Sequence, residues 1–237
     1  MISSNHKSTE TLAKKVQFAV IGGGVIGGGW VARFLLMGSD VKIFDPDPEA
    51  PRKIDEVLSN ARRSLPALYE HALPPEGSLS FVNSISEAVD GSDWVSECVP
   101  EQLKLKHSVM AEIQSHCPKS AIITSSTSGF KPSELQQGSD NPEQIIVAHP
   151  FNPVYLLPLV ELVGNITTVD RAKAILSSLG MFPLHVRKEI DAHIADRLLE
   201  AVWREGLWLI NDDIATTKEI DDAGNANYKK YLNLSRK

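Results

Sequence analysis

The chain has 237 residues, 42% hydrophobic and 23% charged, proportions of an ordinary globular protein long enough to bury one large core. Its formal net charge is −6 and no lysine or arginine run exceeds two residues, which removes the basic footprint that nucleic-acid binding needs and favours a small ligand. Two cysteines, Cys98 and Cys117, are too few for a disulfide framework and lack zinc-site spacing, so both read as small core residues and no metal is expected.

No apolar stretch reaches the roughly 18 residues of a membrane span, and the first residues lack the apolar segment of a signal peptide. The sequence therefore predicts a cytoplasmic protein with no membrane partner and with residues 1–14 as a loose tail. Residues 16–21 are apolar and branched, as in a buried parallel strand. The stretch "VIGGGVIGGGW", residues 20–30, then places six glycines before Trp30, Val31, Phe34 and Leu35, which recur at helical spacing.

Further along, residues 41–44 read as a second strand, 48–70 as a charged helical stretch broken at "LPPEG", and 79–82 as a third strand. "SISE" at 84–87 has the form of a capping box. Strands at 94–99, 121–124, 144–148, 157–163 and 182–186 alternate with helices near 102–116 and 169–179. Such alternation predicts an α/β fold, a doubly wound Rossmann-type parallel sheet with helices on both faces.

From residue 192 the pattern becomes helix only. "HIADRLLEAVWREGLWLI" is apolar through Ile194, Leu198, Val202 and Leu209 and again through Leu199, Trp203 and Ile210, so cover is expected on two faces, part of it from a second subunit in a homodimer. The expected organisation is a tail (1–14), a dinucleotide-binding domain (15–190) and a short all-helical C-terminal domain (191–237).

Glycine loses more backbone freedom on folding than any other residue, so its concentration between a strand and a helix needs a cause. Gly22, Gly24 and Gly27 fit G-x-G-x-x-G: one glycine for the turn, one for approach of backbone to a pyrophosphate, one for helix–strand packing. The segment Gly22, Gly23, Gly24, Val25, Ile26 and Gly27 then offers the helix N-terminus to the phosphates. Asp45 ends the second strand 18 residues past Gly27, where a carboxylate accepts hydrogen bonds from ribose hydroxyls. No arginine follows to meet a 2′-phosphate, which favours NAD over NADP. Gly23, Gly28 and Gly29 have a plainer reading as close packing of helix on sheet.

Hydride transfer also needs a group that exchanges the hydroxyl proton. In "IVAHPFNPVYLLPLVELV", His149 stands at a strand end and Glu161 in the next strand. An imidazole acts as base near neutral pH and a carboxylate fixes its tautomer, which makes the two a candidate dyad. Ser128, in "TSSTSGF" at another strand end, is placed to donate to a substrate oxygen. A loop histidine, a solvent-facing glutamate and a turn serine are the plainer alternative, and these residues alone leave both open.

The glycine turn, the serine-rich strand end, the H-P-F-N-P turn and a glutamate twelve positions after the histidine together resemble the 3-hydroxyacyl-CoA dehydrogenase family. "CVPEQLKLK", "SSTSG", "HPFNPVYLLPLVELV" and "HIADRLLEAVWREGLWL" are most similar to its carnitine-oxidising members. The resemblance, which runs from about residue 16 to residue 210, implies NAD-dependent oxidation of the 3-hydroxyl of L-carnitine, a cationic 3-hydroxy acid. It makes His149 the general base, Glu161 its orienting partner and Ser128 a donor to the reacting oxygen. It places Glu101 and Lys106 near the nicotinamide, although an exposed Glu/Lys pair on a helix is also ordinary surface.

Where acyl-CoA members carry asparagine in the first turn of the long C-terminal helix, this chain has Asp196. A carboxylate there suits a substrate that brings its own positive charge, and Phe151 and Tyr155 are candidates for cation–π contact with it. An acid at a helix N-terminus, or a partner for Arg197, is the simpler account. Family members continue with further helices, so the second domain reads as cut short. L-gulonate and 3-hydroxyacyl-CoA oxidation remain as neighbouring activities, and a non-catalytic NAD-binding role of the lambda-crystallin kind as a different class.

Overall fold

A computed structural model describes residues 15–224, so the expectation of a loose tail at 1–14 lies outside the described residues. The chain divides between Asp191 and Ala192 into two units. The first holds an eight-stranded sheet in the order β3-β2-β1-β4-β5-β6-β7-β8. Its strands are β1 (Phe18–Ile21), β2 (Val41–Phe44), β3 (Leu79–Phe81), β4 (Trp94–Glu97), β5 (Ile122–Ser125), β6 (Ile145–Pro150), β7 (Leu159–Val163) and β8 (Phe182–His185). β1 to β6 run parallel, with β1 between β2 and β4, so the strand order reverses there and a crevice opens at the carboxyl ends.

The sheet departs from the all-parallel expectation at one place: β7 runs antiparallel to β6. Only eight residues, 151–158, separate these strands, and a parallel crossover needs a dozen or more. The resulting register sets His149 directly opposite Glu161. β8 then returns parallel to β7 through a helical crossover.

Helices α1 (Val25–Leu36), α2 (Ala50–Ser64) and α6 (Ile166–Ser178) pack one face of the sheet through Trp30, Phe34, Ile54, Leu58, Val169 and Leu176. Helices α3 (Ile85–Val89), α4 (Leu103–His116) and the short α5 (Pro132–Leu135) cover the other face. The helical stretch expected over 48–70 ends sooner, because Pro66 enters a 3₁₀ turn at Leu65–Leu68. Ser84 caps α3 by accepting from the Glu87 N–H at 3.2 Å, as the capping-box spacing implies.

The second unit contains α7 (Ile194–Asn211) and helical residues 217–224. No residue of α7 is buried, against the expectation of two covered faces: Leu198, Val202, Trp203 and Trp208 are all more than half exposed. Residues 217–224 supply only one wall of a groove of about 530 Å³ with Leu199, Trp203 and Leu207. Among the described residues no helix is long and apolar enough to cross a membrane.

Candidate active site

The glycine turn is built by exclusion of side chains. Gly22 has φ +97°, a conformation L side chains rarely adopt, and a Cβ there would lie 2.7 Å from the Cys98 carbonyl oxygen. At Gly27 a Cβ would overlap the Gly22 carbonyl, so this contact locks turn to helix. A Cβ at Gly24 would meet nothing within 4 Å. That open position is the N-cap of α1 and has no side-chain cap, so the first N–H groups of the helix face the approach that a pyrophosphate would take.

Asp45 fixes the other side of the turn. Its carboxylate accepts from the Gly23 N–H at 2.5 Å and from the Asp47 N–H at 2.7 Å, so the group expected to meet a ribose also holds the glycine backbone. Between the glycines and Asp45 lies a cavity of about 570 Å³ with apolar walls from Phe44, Ile85, Val99 and Leu105. Apolar walls for a base, a carboxylate at the rim for a diol and a bare backbone for phosphates fit an adenine dinucleotide. Burial pushes the Cys98 thiol, which lines this cavity, up to about 12, so it stays neutral.

The other glycines do not pack the helix on the sheet as the plainer reading had it. Gly23 and Gly28 face Ile54 and its neighbours on α2, and a Cβ at Gly29 would come within 2.9 Å of Val154 in the β6–β7 connection.

Lys106 is buried, so the exposed-pair account of Glu101 and Lys106 fails. Its ammonium sits 2.9 Å from Glu97 Oε1, 3.3 Å from Glu101 Oε2 and 3.2 Å from the Val99 carbonyl. Glu97, fully buried at the end of β4, also accepts from Ser125 Oγ at 2.5 Å and the Val99 N–H at 2.8 Å. The sequence reading missed it, although an acid inside the apolar run "WVSECV" signals a partnered buried charge. Glu101 accepts from the Thr127 hydroxyl and from the Gly129 N–H at 3.1 Å, which joins the β4–α4 loop to the turn holding Ser128. Desolvation alone would raise the Glu101 carboxyl, but the Thr127 hydroxyl, the Lys106 charge and the Gly129 N–H outweigh it and hold it below its ordinary value. Ser128 itself is exposed just past β5.

His149 and Glu161 are both buried, with Nδ1 of the imidazole 3.4 Å from Glu161 Oε2. Phe151 meets the imidazole edge-on at 5.0 Å between ring centroids. Tyr155 packs instead against the core cluster containing Trp30 and Val154. In the second unit Asp196 lies in the first turn of α7, where an acid is favoured by the helix N-terminus.

A doubly wound sheet with a glycine turn at its reversal point and a carboxylate closing the second strand defines a dinucleotide-binding domain. Residues 17–190 match the model of the 3-hydroxyacyl-CoA dehydrogenase NAD-binding domain, and the chain belongs to that family. It is 66% identical over 209 residues to the L-carnitine dehydrogenase/betainyl-CoA thioesterase of Ruegeria pomeroyi, covering 86% of this chain and 43% of that protein. It is 56% identical to the L-carnitine dehydrogenase of Mesorhizobium japonicum, covering 86% of this chain and 57% of that protein. With the L-carnitine dehydrogenase of Oceanobacillus iheyensis the identity is 50%, over 89% of this chain and 69% of that one. The chain thus spans from under half to about two thirds of these relatives.

Among solved structures, an NAD+-dependent 5-formyl-3-hydroxy-2-methylpyridine 4-carboxylic acid 5-dehydrogenase superposes with a TM-score of 0.82 at 29% identity, over 91% of this chain and 72% of that one. The 3-hydroxybutyryl-CoA dehydrogenase of Escherichia coli shares the fold at a TM-score of 0.74 and 22% identity, over 86% of this chain and 44% of that one.

Proposed function

We propose that the chain is an NAD-dependent dehydrogenase that oxidises the 3-hydroxyl of L-carnitine to 3-dehydrocarnitine. One observation carries the reading: His149 and Glu161 are cross-strand partners at the carboxyl edge of the sheet whose glycine turn is built for a dinucleotide. Relatives named as L-carnitine dehydrogenases support the substrate.

In this reading the turn from Gly22 to Gly27, including Gly23, Gly24, Val25 and Ile26, holds the pyrophosphate and Asp45 the adenine ribose. Held there, NAD would supply the hydride acceptor for oxidation at the carbinol carbon. Glu161 accepts a hydrogen bond from Nδ1–H of His149, which leaves the proton-accepting lone pair on Nε2 and stabilises the imidazolium formed when that nitrogen takes the hydroxyl proton. Ser128 donates to the same oxygen. Glu101 lines the nicotinamide end, and Lys106, being buried, acts there through Glu101. Asp196 is the proposed counter-charge for the trimethylammonium group, and Phe151 and Tyr155 are proposed to add cation–π attraction of about 0.5–2 kcal/mol each.

A cytoplasmic location suits the two free thiols. A second copy of the chain is the proposed cover for the apolar face of α7 carrying Leu198, Val202 and Trp203, as a homodimer that sedimentation would detect.

The test is NADH formation with L-carnitine, D-carnitine, L-gulonate and 3-hydroxybutyryl-CoA as separate substrates. L-carnitine is expected to turn over, and His149→Ala or Glu161→Ala to lower kcat on the order of 10²–10⁴-fold. Asp196→Asn should raise KM for carnitine and leave substrates that carry no cation unaffected. Turnover of another substrate alone, or of none, overturns the reading.

A further inference from the structure

Helix α1 carries a buried cation that neither the glycine turn nor the dyad accounts for. Arg33, 1% exposed, donates to the Leu179 carbonyl from Nε at 3.0 Å and from Nη2 at 2.7 Å, to the Tyr155 carbonyl from Nη1 at 3.2 Å, and to the Tyr69 hydroxyl from Nη2 at 2.7 Å. Its partners are two carbonyls and a phenol hydroxyl, none of them a carboxylate. A buried guanidinium without an acid costs more than an apolar side chain of the same volume, so its hydrogen bonds need a purpose. Gly180, at φ +68°, leaves room for it: a Cβ there would stand 2.9 Å from Nη2.

The three anchor points lie 36, 122 and 146 residues away in sequence, and one of them is the connection between the dyad strands. In that connection the Leu156 and Leu157 N–H groups both donate to the Pro153 carbonyl at 2.9 Å, so residues 153–157 form one hydrogen-bonded turn. Val154 of that turn packs against Gly29 of α1, and Phe151, at the start of the 151–158 connection, meets the His149 ring in an edge contact. One turn before Arg33, Trp30 Nε1 donates to Ser126 Oγ at 3.0 Å, two residues before Ser128. One face of α1 thus touches the segment that leads to Ser128 and the connection between the strands of His149 and Glu161, and its N-terminus carries the glycine turn.

We infer that Arg33 is a positioning residue: by tying the 151–158 connection to α1 it sets the placement of His149 relative to a dinucleotide held at the N-terminus of that helix. This rests on the dehydrogenase reading above. Arg33→Met keeps the volume and removes every donor, leaving the Leu179 and Tyr155 carbonyls without this partner. Arg33→Lys keeps the charge and reaches fewer acceptors. Tyr69→Phe removes one arm that does not lead to the dyad.

The experiment uses the full chain with ¹⁵N-labelled histidine, measuring NAD affinity by calorimetry, the NAD-induced shift of the His149 ring resonances, and kcat on L-carnitine. Arg33→Met is expected to bind NAD within about twofold of the parent while losing the His149 shift, with kcat lower by about 10–100-fold, the scale set by small misplacements. Arg33→Lys recovers part of both, and Tyr69→Phe leaves both unchanged. A His149 shift that persists in Arg33→Met, or a kcat that falls only with the folded fraction seen by circular dichroism, overturns the inference. If the parent turns over no carnitine, the functional reading fails, and the His149 shift still reports whether Arg33 couples the two sites. If Arg33→Met does not fold, the same comparison is made with Arg33→Lys.

Discussion

The β1–α1–β2 unit and the β6–β7 hairpin deliver functional groups to the same edge of one sheet by different physics. In the first, position is set locally and by exclusion: Gly22 and Gly27 stand where no Cβ fits, and the Gly23 N–H is held by Asp45. In the second, position is set by pairing direction, since His149 and Glu161 are neighbours only because the strands run antiparallel in that register. A site made by exclusion tolerates no added atom. A site made by register tolerates many substitutions but no slip, since moving one residue along a strand turns each side chain to the opposite face. Between the two lies β4, whose Glu97 ties it to α4 through Lys106 and to β5 through Ser125.

That junction is where the largest loss is expected. Glu97→Leu removes the carboxylate that holds the buried Lys106 ammonium and leaves the Val99 N–H and Ser125 hydroxyl without this acceptor, at a cost of about 3–5 kcal/mol in urea unfolding. Adding Lys106→Met should recover most of it, because a buried pair replaced by apolar groups is often near neutral. If the single variant stays within about 1 kcal/mol of the parent, β4, α4 and β5 are not held together through this pair.

Next come the glycines, where fold and ligand are separable. Gly27→Ala drives a methyl into the Gly22 carbonyl and should cost about 3 kcal/mol, together with NAD affinity. Gly24→Ala meets no protein atom within 4 Å and has φ −64°, which alanine adopts freely. Its stability should therefore stay within about 0.5 kcal/mol of the parent. NAD affinity should still fall by about tenfold, because the methyl occupies the phosphate approach. Equal stability losses in the two variants would erase the distinction between a glycine that serves the turn and one that serves the ligand.

The same contrast governs what could be read from the residues alone. The glycine turn, its strand and helix, and Asp45 were legible because each requirement is local and steric. His149 and Glu161 were legible as a candidate dyad, but the antiparallel pairing that sets them opposite each other was not, since the expected sheet was all parallel. The missed signal was the eight-residue span of the connection, too short for a crossover. The partners of Glu97 and Arg33 were illegible for another reason: each is a charge inside an apolar segment, which signals burial, and only tertiary packing names what it meets. On α7 the sequence announced an apolar surface, and no pattern within one chain specifies what covers it.

The smallest expected effect tests the local half at its far end, in the turn between α1 and β2. Asp40 accepts from the Ser78 N–H and hydroxyl at 2.8 Å each and from Lys15 Nζ at 3.0 Å. The Ser78 N–H first, then Lys15 and the Ser78 hydroxyl, hold its carboxyl at about 2 against an ordinary 3.8. A folded value below the unfolded one means that the carboxylate stabilises the fold above about pH 4 and that this contribution is lost as the pH falls toward about 2. Its side chain is 39% exposed, so solvent screening limits the gain to about 1 kcal/mol or less. Asp40→Asn should therefore be slightly less stable at neutral pH and indistinguishable from the parent near pH 2, a convergence that urea midpoints measured across that range would follow. A difference that stays constant with pH would mean that Asp40 acts there by shape rather than charge, as the glycines do.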